Sequence, residues 1–211
     1  MSSVEDEGYL FFRQKTRTLA LTTLPGQRSD VRLLAKQELF GSAAIIDGVV
    51  FVASFGFDHV WPHEQEIVAQ QLTPFSLDSL RDYNAFKELD YFAETCQWIA
   101  EKRLVSQPHS WPRWLLVIVN KADLFWSQLD DARAYYTPGS GSAFDEVAQQ
   151  LRGQLGTLWP LVYEVVPSAA VSTDYVFSPH RGDLRATSQL QHWACRASIR
   201  SLGGTLEGLS G

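Results

Sequence analysis

The stretch "WLLVIVNKADLFW", residues 114–126, runs as six apolar residues and then breaks into a polar loop carrying Asn120, Lys121 and Asp123. A continuous apolar run with β-branched residues predicts a strand buried on both faces, as in a parallel sheet covered by helices. In open α/β sheets ligands bind outside the carboxyl ends of the strands, so the polar residues that follow residue 119 are candidates for function. The ends of the other strands carry the same interest.

Outward from this stretch, "GYLFF" (8–12) and "RTLALTT" (17–23) are short apolar or alternating runs separated by a polar segment, which predicts a β-hairpin, and "LPGQ" closes the second strand with a turn. Residues 29–40 have helical spacing behind a Ser/Asp start, and "AAIIDGVVFVASF" (43–55) follows as a buried strand. From about Asp78 to Arg103 the apolar residues Leu80, Tyr83, Phe86, Leu89, Phe92, Cys96 and Ile99 recur every three or four positions, which predicts a long amphipathic helix ending before Pro108. After the strand at 114–119 come a variable stretch with "TPGSGS", a helix near 144–155, the strand "LVYEVV" (161–166) and a final helix around 184–201. Strands alternating with helices define an α/β fold with a mostly parallel, doubly wound sheet and a β-hairpin at its edge.

A chain of 211 residues with 45% hydrophobic and 20% charged residues can bury one sizeable core. A single domain over residues 1–201 is expected, with an insertion at about 56–76 and a glycine-rich, flexible tail at 202–211. The formal charge of −6 argues against nucleic acid as a partner. No run is apolar for the length of a membrane span, and the start "MSSVEDEGYLFF" is acidic rather than basic, so cytoplasmic residence is the default expectation. Cys96 and Cys195 lack metal-ligand spacing and are expected to be reduced thiols.

Three strand ends carry recognisable content. After "WLLVIV" comes "NKAD", a form of the N-K-x-D guanine motif; after "LVYEVV" comes "PSAA", matching an S-A loop; after "RTLALT" comes "TLPGQ", similar to a D-x-P-G-Q loop. In this order the sequence resembles a Ras-like small GTPase domain, from about residue 8 to residue 201. The resemblance implies binding of GTP and GDP. Asp123 would accept hydrogen bonds from guanine N1–H and the 2-amino group, a pattern adenine cannot satisfy. Asn120 would brace the loop, the stem of Lys121 would lie along a purine face, the Ala169 N–H would donate to guanine O6 and Ser168 would hold the second loop. The alternative is that Asn120 and Asp123 cap a helix starting at "LFW" and that "SAA" is a small-residue turn.

The phosphate side departs from the family. A P-loop needs Gly-Lys-Ser/Thr so that backbone N–H groups and one ammonium can cradle the phosphates, with the hydroxyl on Mg²⁺. Lys15, Lys36, Lys87, Lys102 and Lys121 follow Gln, Ala, Phe, Glu and Asn, so this chain contains no Gly-Lys pair and Mg²⁺ binding requires a P-loop supplied from elsewhere. Thr23 stands where most of the family has the aspartate of the Mg²⁺ site. The bacterial gliding-motility small GTPases of the MglA type are similar in having threonine there, followed by Pro-Gly-Gln. In that likeness Gly26 would offer its N–H to the γ-phosphate and Gln27 would orient the attacking water, whereas "LPGQ" read alone is a turn.

In Ras-like domains the P-loop strand lies between the strands corresponding here to "RTLALTT" and "IIDGVVFVASF". Its absence leaves backbone groups to be satisfied. Three readings follow: the chain is a fragment of a regulatory, GTP-hydrolysing switch whose start lies upstream; the flanking strands have closed into a reduced pseudo-GTPase sheet that acts as a protein-interaction module; or a protein partner donates the missing strand. The sequence favours the first, because it begins where the family's switch I region would end. Elsewhere, His59 and His63 in "HVWPHEQE" are interrupted by Pro62 and are expected in a solvated loop, and "RGD" at 181–183 is short enough to arise by chance. The 56–76 insertion, at the nucleotide end of the sheet, is either a lid or partner-binding element or a surface excursion.

Overall fold

Along the strand Trp114–Val119 the side chains alternate between two apolar clusters: Leu115, Val117 and Val119 join the main core, while Trp114, Leu116 and Ile118 pack with Val50 and Val166 on the other face. This is why the run is apolar at every position rather than every second one. The computed structural model describes residues 9–14, 17–22, 34, 37, 40, 45–105, 108, 111–156, 162–169 and 172–190. In chain order its elements are β1 (Tyr9–Gln14), β2 (Arg17–Thr22), β3 (Gly48–Ala53), α1 (Gln65–Gln71), α2 (Leu77–Val105), β4 (Trp114–Val119), α3 (Leu129–Tyr136), α4 (Ala143–Leu155), β5 (Val162–Pro167), β6 (Tyr175–Phe177) and β7 (Leu184–Ala186).

β4 is central in a three-stranded parallel sheet of order β3-β4-β5, with Val50 level with Leu116 and Leu116 level with Glu164. β1 and β2 form an antiparallel hairpin in which Tyr9 faces Thr22 and Gln14 faces Arg17. Among the described residues no ladder joins β2 to β3. The chain is thus mixed α/β with helices packed on a parallel sheet, as the alternating pattern predicts.

Two helices owe their starts to serines. The Ser76 hydroxyl accepts from Ser79 N–H at 3.1 Å at the head of α2, and Lys102 and Arg103 lie in its last turn, opposite the partial negative charge of the helix end. Ser142 caps α4 by accepting from Asp145 N–H at 3.0 Å, and the Asp145 carboxylate takes the N–H groups of Gly139 and Gly141, so the "TPGSGS" stretch is folded back onto the helix it precedes. Phe92 of α2 and Phe144 of α4 stack with ring centroids 3.7 Å apart, over Phe51 of β3.

Four expectations need correction or bounding. Residues 184–186 do not begin a helix: Leu184–Ala186 is a strand paired antiparallel with Tyr175–Phe177, and residues 191–201 lie outside the described residues. The strand expected over 43–55 is shorter. It starts at Gly48, where a Cβ would come within 1.9 Å of the Trp114 ring, so the glycine is fixed by the indole across the ladder. The helix expected over 29–40 is described only at Leu34, Gln37 and Phe40, all helical. The 56–76 segment is no surface excursion: it contains α1 and places Phe57, Val60, Val68, Ala69 and Leu72 in the core.

Candidate functional site

At the carboxyl end of β4 the Asn120 N–H donates to Ala53 O at 2.7 Å, which extends the pairing with β3 by one residue. Lys121 then adopts φ +57, in the left-handed region, where a residue with a Cβ costs about 1 kcal/mol or more. That turn swings the chain off the sheet toward β5. Ala122 N–H donates to Ser168 O at 3.0 Å, and Ser168 N–H donates to Val119 O at 2.8 Å. The "NKAD" and "SA" loops, far apart in sequence, are therefore bonded to each other.

Asp123 is 2% exposed, Ser168 4% and Ala169 0%. Asp123 is contacted by the segment 172–190, which contains the β6–β7 hairpin. Thr173 N–H points at Asp123 Oδ2 from 3.4 Å, and Gln189 N–H donates to the Asp123 carbonyl at 2.6 Å. The Gln189 side chain accepts from Ser127 N–H at 2.8 Å and donates to Leu124 O at 3.1 Å. The Lys121 ammonium donates to the Phe57 carbonyl and lies 5.6 Å from the Tyr175 ring centre. Burial pulls Lys121 below the usual lysine range, against the opposing pull of Asp58, Glu88 and Asp123. The helix-capping alternative is not what forms. Residues Ala122–Leu124 make a 3-10 turn headed by Lys121 without a side-chain cap, and α3 starts only at Leu129.

Beside this site lies an acid pocket that the apolar spacing does not reveal. Glu88 of α2 is 3% exposed and sits under the loop that follows β3. Its Oε1 accepts from Ser54 N–H at 3.1 Å and Gly56 N–H at 3.0 Å, and its Oε2 accepts from the Tyr136 hydroxyl at 2.6 Å. The single Ser54 hydroxyl hydrogen lies between Glu88 Oε1 (3.1 Å) and Asp58 Oδ1 (2.7 Å). One hydrogen cannot serve both acceptors. Burial, and next the neighbouring Asp58, push Glu88 up to about 8, so near neutral pH it keeps a proton that can go to Ser54 Oγ while Ser54 donates to Asp58. Asn84, one turn earlier, donates to Gly56 O at 3.0 Å. The loop so held bears two left-handed residues, Phe55 (φ +50) and Gly56 (φ +81), and it supplies the carbonyl that receives Lys121.

The remaining candidates fall out as follows. Thr23, Gly26 and Gln27 lie outside the described residues. His59 and His63 are exposed, and among the described residues no three His, Cys, Asp or Glu side chains gather as a metal site. Arg181 of "RGD" donates to Ala69 O at 2.9 Å and covers the Phe75 ring, which makes it a structural residue. Cys96 is a buried thiol pushed up to about 12 by burial. No helix among the described residues is long and apolar enough to cross a membrane. No protein-family model matches this chain, and neither does any curated protein or solved structure.

Proposed function

We propose that this chain is a guanine-nucleotide-binding domain of Ras-like type, the base-reading part of a GTP-hydrolysing switch whose phosphate site is supplied outside the residues present. The observation that carries it is the Ala122 N–H to Ser168 O bond, which unites an N-K-x-D loop and an S-A loop at the carboxyl ends of neighbouring parallel strands. The left-handed Lys121 supports the same conclusion, since strained backbone persists where its surroundings over-determine it, and such positions cluster at ligand sites. That no ladder joins β2 to β3 among the described residues agrees with a sheet from which a P-loop strand is missing.

A second reading, a non-catalytic pseudo-GTPase that acts as a protein-interaction module, is favoured by one observation. Asp123 and Ala169 are covered by the chain itself. Competition of GDP and ADP for the purified chain separates the two. Preference for GDP, weak in absolute terms because the phosphates are unsupported, upholds guanine reading; equal or no binding of the two nucleotides favours the interaction module. Turnover of GTP by this chain alone is expected to stay at background, because phosphoryl transfer depends mainly on positioned charge that a P-loop lysine and Mg²⁺ provide.

A further inference from the structure

We propose that the segment 172–190 is an autoinhibitory strap that occupies the guanine site from within, so that a guanine base is bound only when the strap lifts from residues 120–127. This rests on the guanine-binding proposal above and adds the regulation of that site. Reading guanine requires the Asp123 carboxylate to face two N–H donors of the base in one plane, with room for the purine alongside. Instead Asp123 and Ala169 are sealed, and a backbone N–H, that of Thr173, stands at the carboxylate in the role of a base N–H.

The strap has a fixed part and a releasable part. Tyr175 and Phe177 are buried in the core, and the Tyr175 hydroxyl donates to Asp58 O at 2.9 Å, so the middle of the segment is anchored. The two ends that meet the loop hold by polar contacts: Thr173 on Asp123, and Gln189 on Asp123, Leu124 and Ser127. Thr173 and Gln189 are not among the core residues, whereas Leu190, next to Gln189, packs against the core, so the releasable part extends no further than Gln189. A binding-competent state populated in a fraction of molecules weakens apparent affinity by that same fraction, and a partner that captures the lifted strap would raise nucleotide affinity without touching the nucleotide.

Two measurements on the full chain test this. Gln189→Ala removes the two side-chain bonds of the strap and is expected to tighten GDP binding roughly tenfold, as loss of one to two net hydrogen bonds would, with ADP binding unaltered. On the unmodified chain, which avoids any folding defect of the variant, millimolar GDP is expected to speed amide exchange at Ser127, whose acceptor is Gln189 Oε1. If GDP binds in preference to ADP but Ser127 keeps its protection and Gln189→Ala leaves the affinity unchanged, the strap proposal is overturned and guanine reading survives. If GDP and ADP bind alike in both forms, guanine reading fails and the strap proposal fails with it.

Discussion

The Tyr136 hydroxyl donates to Glu88 Oε2 at 2.6 Å across 48 residues of sequence, joining the end of α3 to the middle of α2 beneath the loop that receives Lys121. Phe55 N–H donates in turn to the Tyr136 oxygen at 3.1 Å, so the tyrosine bridges the helix and the loop. The carboxyl ends of β3 and β4 are thus tied to a buried acid whose protonation bears on the stability of the whole site.

This gives a pH dependence with a definite sign. Glu88 is raised from 4.5 to about 8 by burial first and Asp58 next, so the folded chain keeps a proton that the unfolded chain gives up. Stability from this group is therefore full below pH 4.5, falls as pH rises and is lost above about pH 8, a decline on the order of 5 kcal/mol. Urea denaturation at pH 5, 7 and 9 should show the decline, and Glu88→Gln should flatten it. A Gln variant with the same slope as the unmodified chain would remove Glu88 from this role.

Gly56 is the second point of control on that loop. Its φ of +81 is one that L side chains rarely adopt, and a Cβ there would stand 2.6 Å from the Arg81 carbonyl. Gly56→Ala should destabilise the chain by about 2 kcal/mol or more through backbone strain and displacement of α2. Gly139, also left-handed but with open space around a Cβ, is the control. Its alanine variant should lose less, and equal losses at the two glycines would mean that the contact with Arg81 contributes little.

The place of the "NKAD" and "PSAA" loops was legible because each follows an apolar run directly, at the carboxyl end of a strand. The acid pocket was not. The apolar spacing of α2 points to Tyr83, Phe86 and Leu89, yet Phe86 is 73% exposed while Asn84 and Glu88 are buried in the row Leu80, Asn84, Glu88, Phe92 and Cys96. Polar residues on a buried stripe read as solvent-facing unless the four-residue repeat through flanking Leu80 and Phe92 is followed. The β6–β7 hairpin was missed for another reason. Strands of three residues carry too few alternations to compete with a helical pattern, and only their mutual pairing defines them.

Exchange of Asp123 for Asn tests the chemistry of base reading itself. The carboxylate offers two acceptors, whereas the amide offers one donor and one acceptor, so the variant should lose preference for GDP and gain it for xanthosine diphosphate, whose 2-oxo group accepts where guanine donates. Competition among GDP, XDP and ADP measures it. A variant that still prefers GDP would show that Asp123 does not face the base.

The last prediction concerns the sheet. Each residue of β4 lies between two parallel neighbours, whereas among the described residues β2 is paired only with β1. An amide in a central strand exchanges only when a larger cooperative unit opens, while a two-stranded hairpin is marginal by itself and can open locally. The amides of Leu19 and Leu21 should therefore exchange at least about a hundredfold faster than those of Leu116 and Ile118, a factor that corresponds to roughly 3 kcal/mol of opening free energy. Hydrogen exchange on the monomer, resolved by residue, makes the comparison. Equal, strong protection of both pairs would require a further strand along β2, and in a monomer that would favour a reduced pseudo-GTPase sheet over one awaiting a P-loop strand. If the slow exchange at Leu19 and Leu21 appeared only at high protein concentration, the strand completing the hairpin would come from a second copy of the chain.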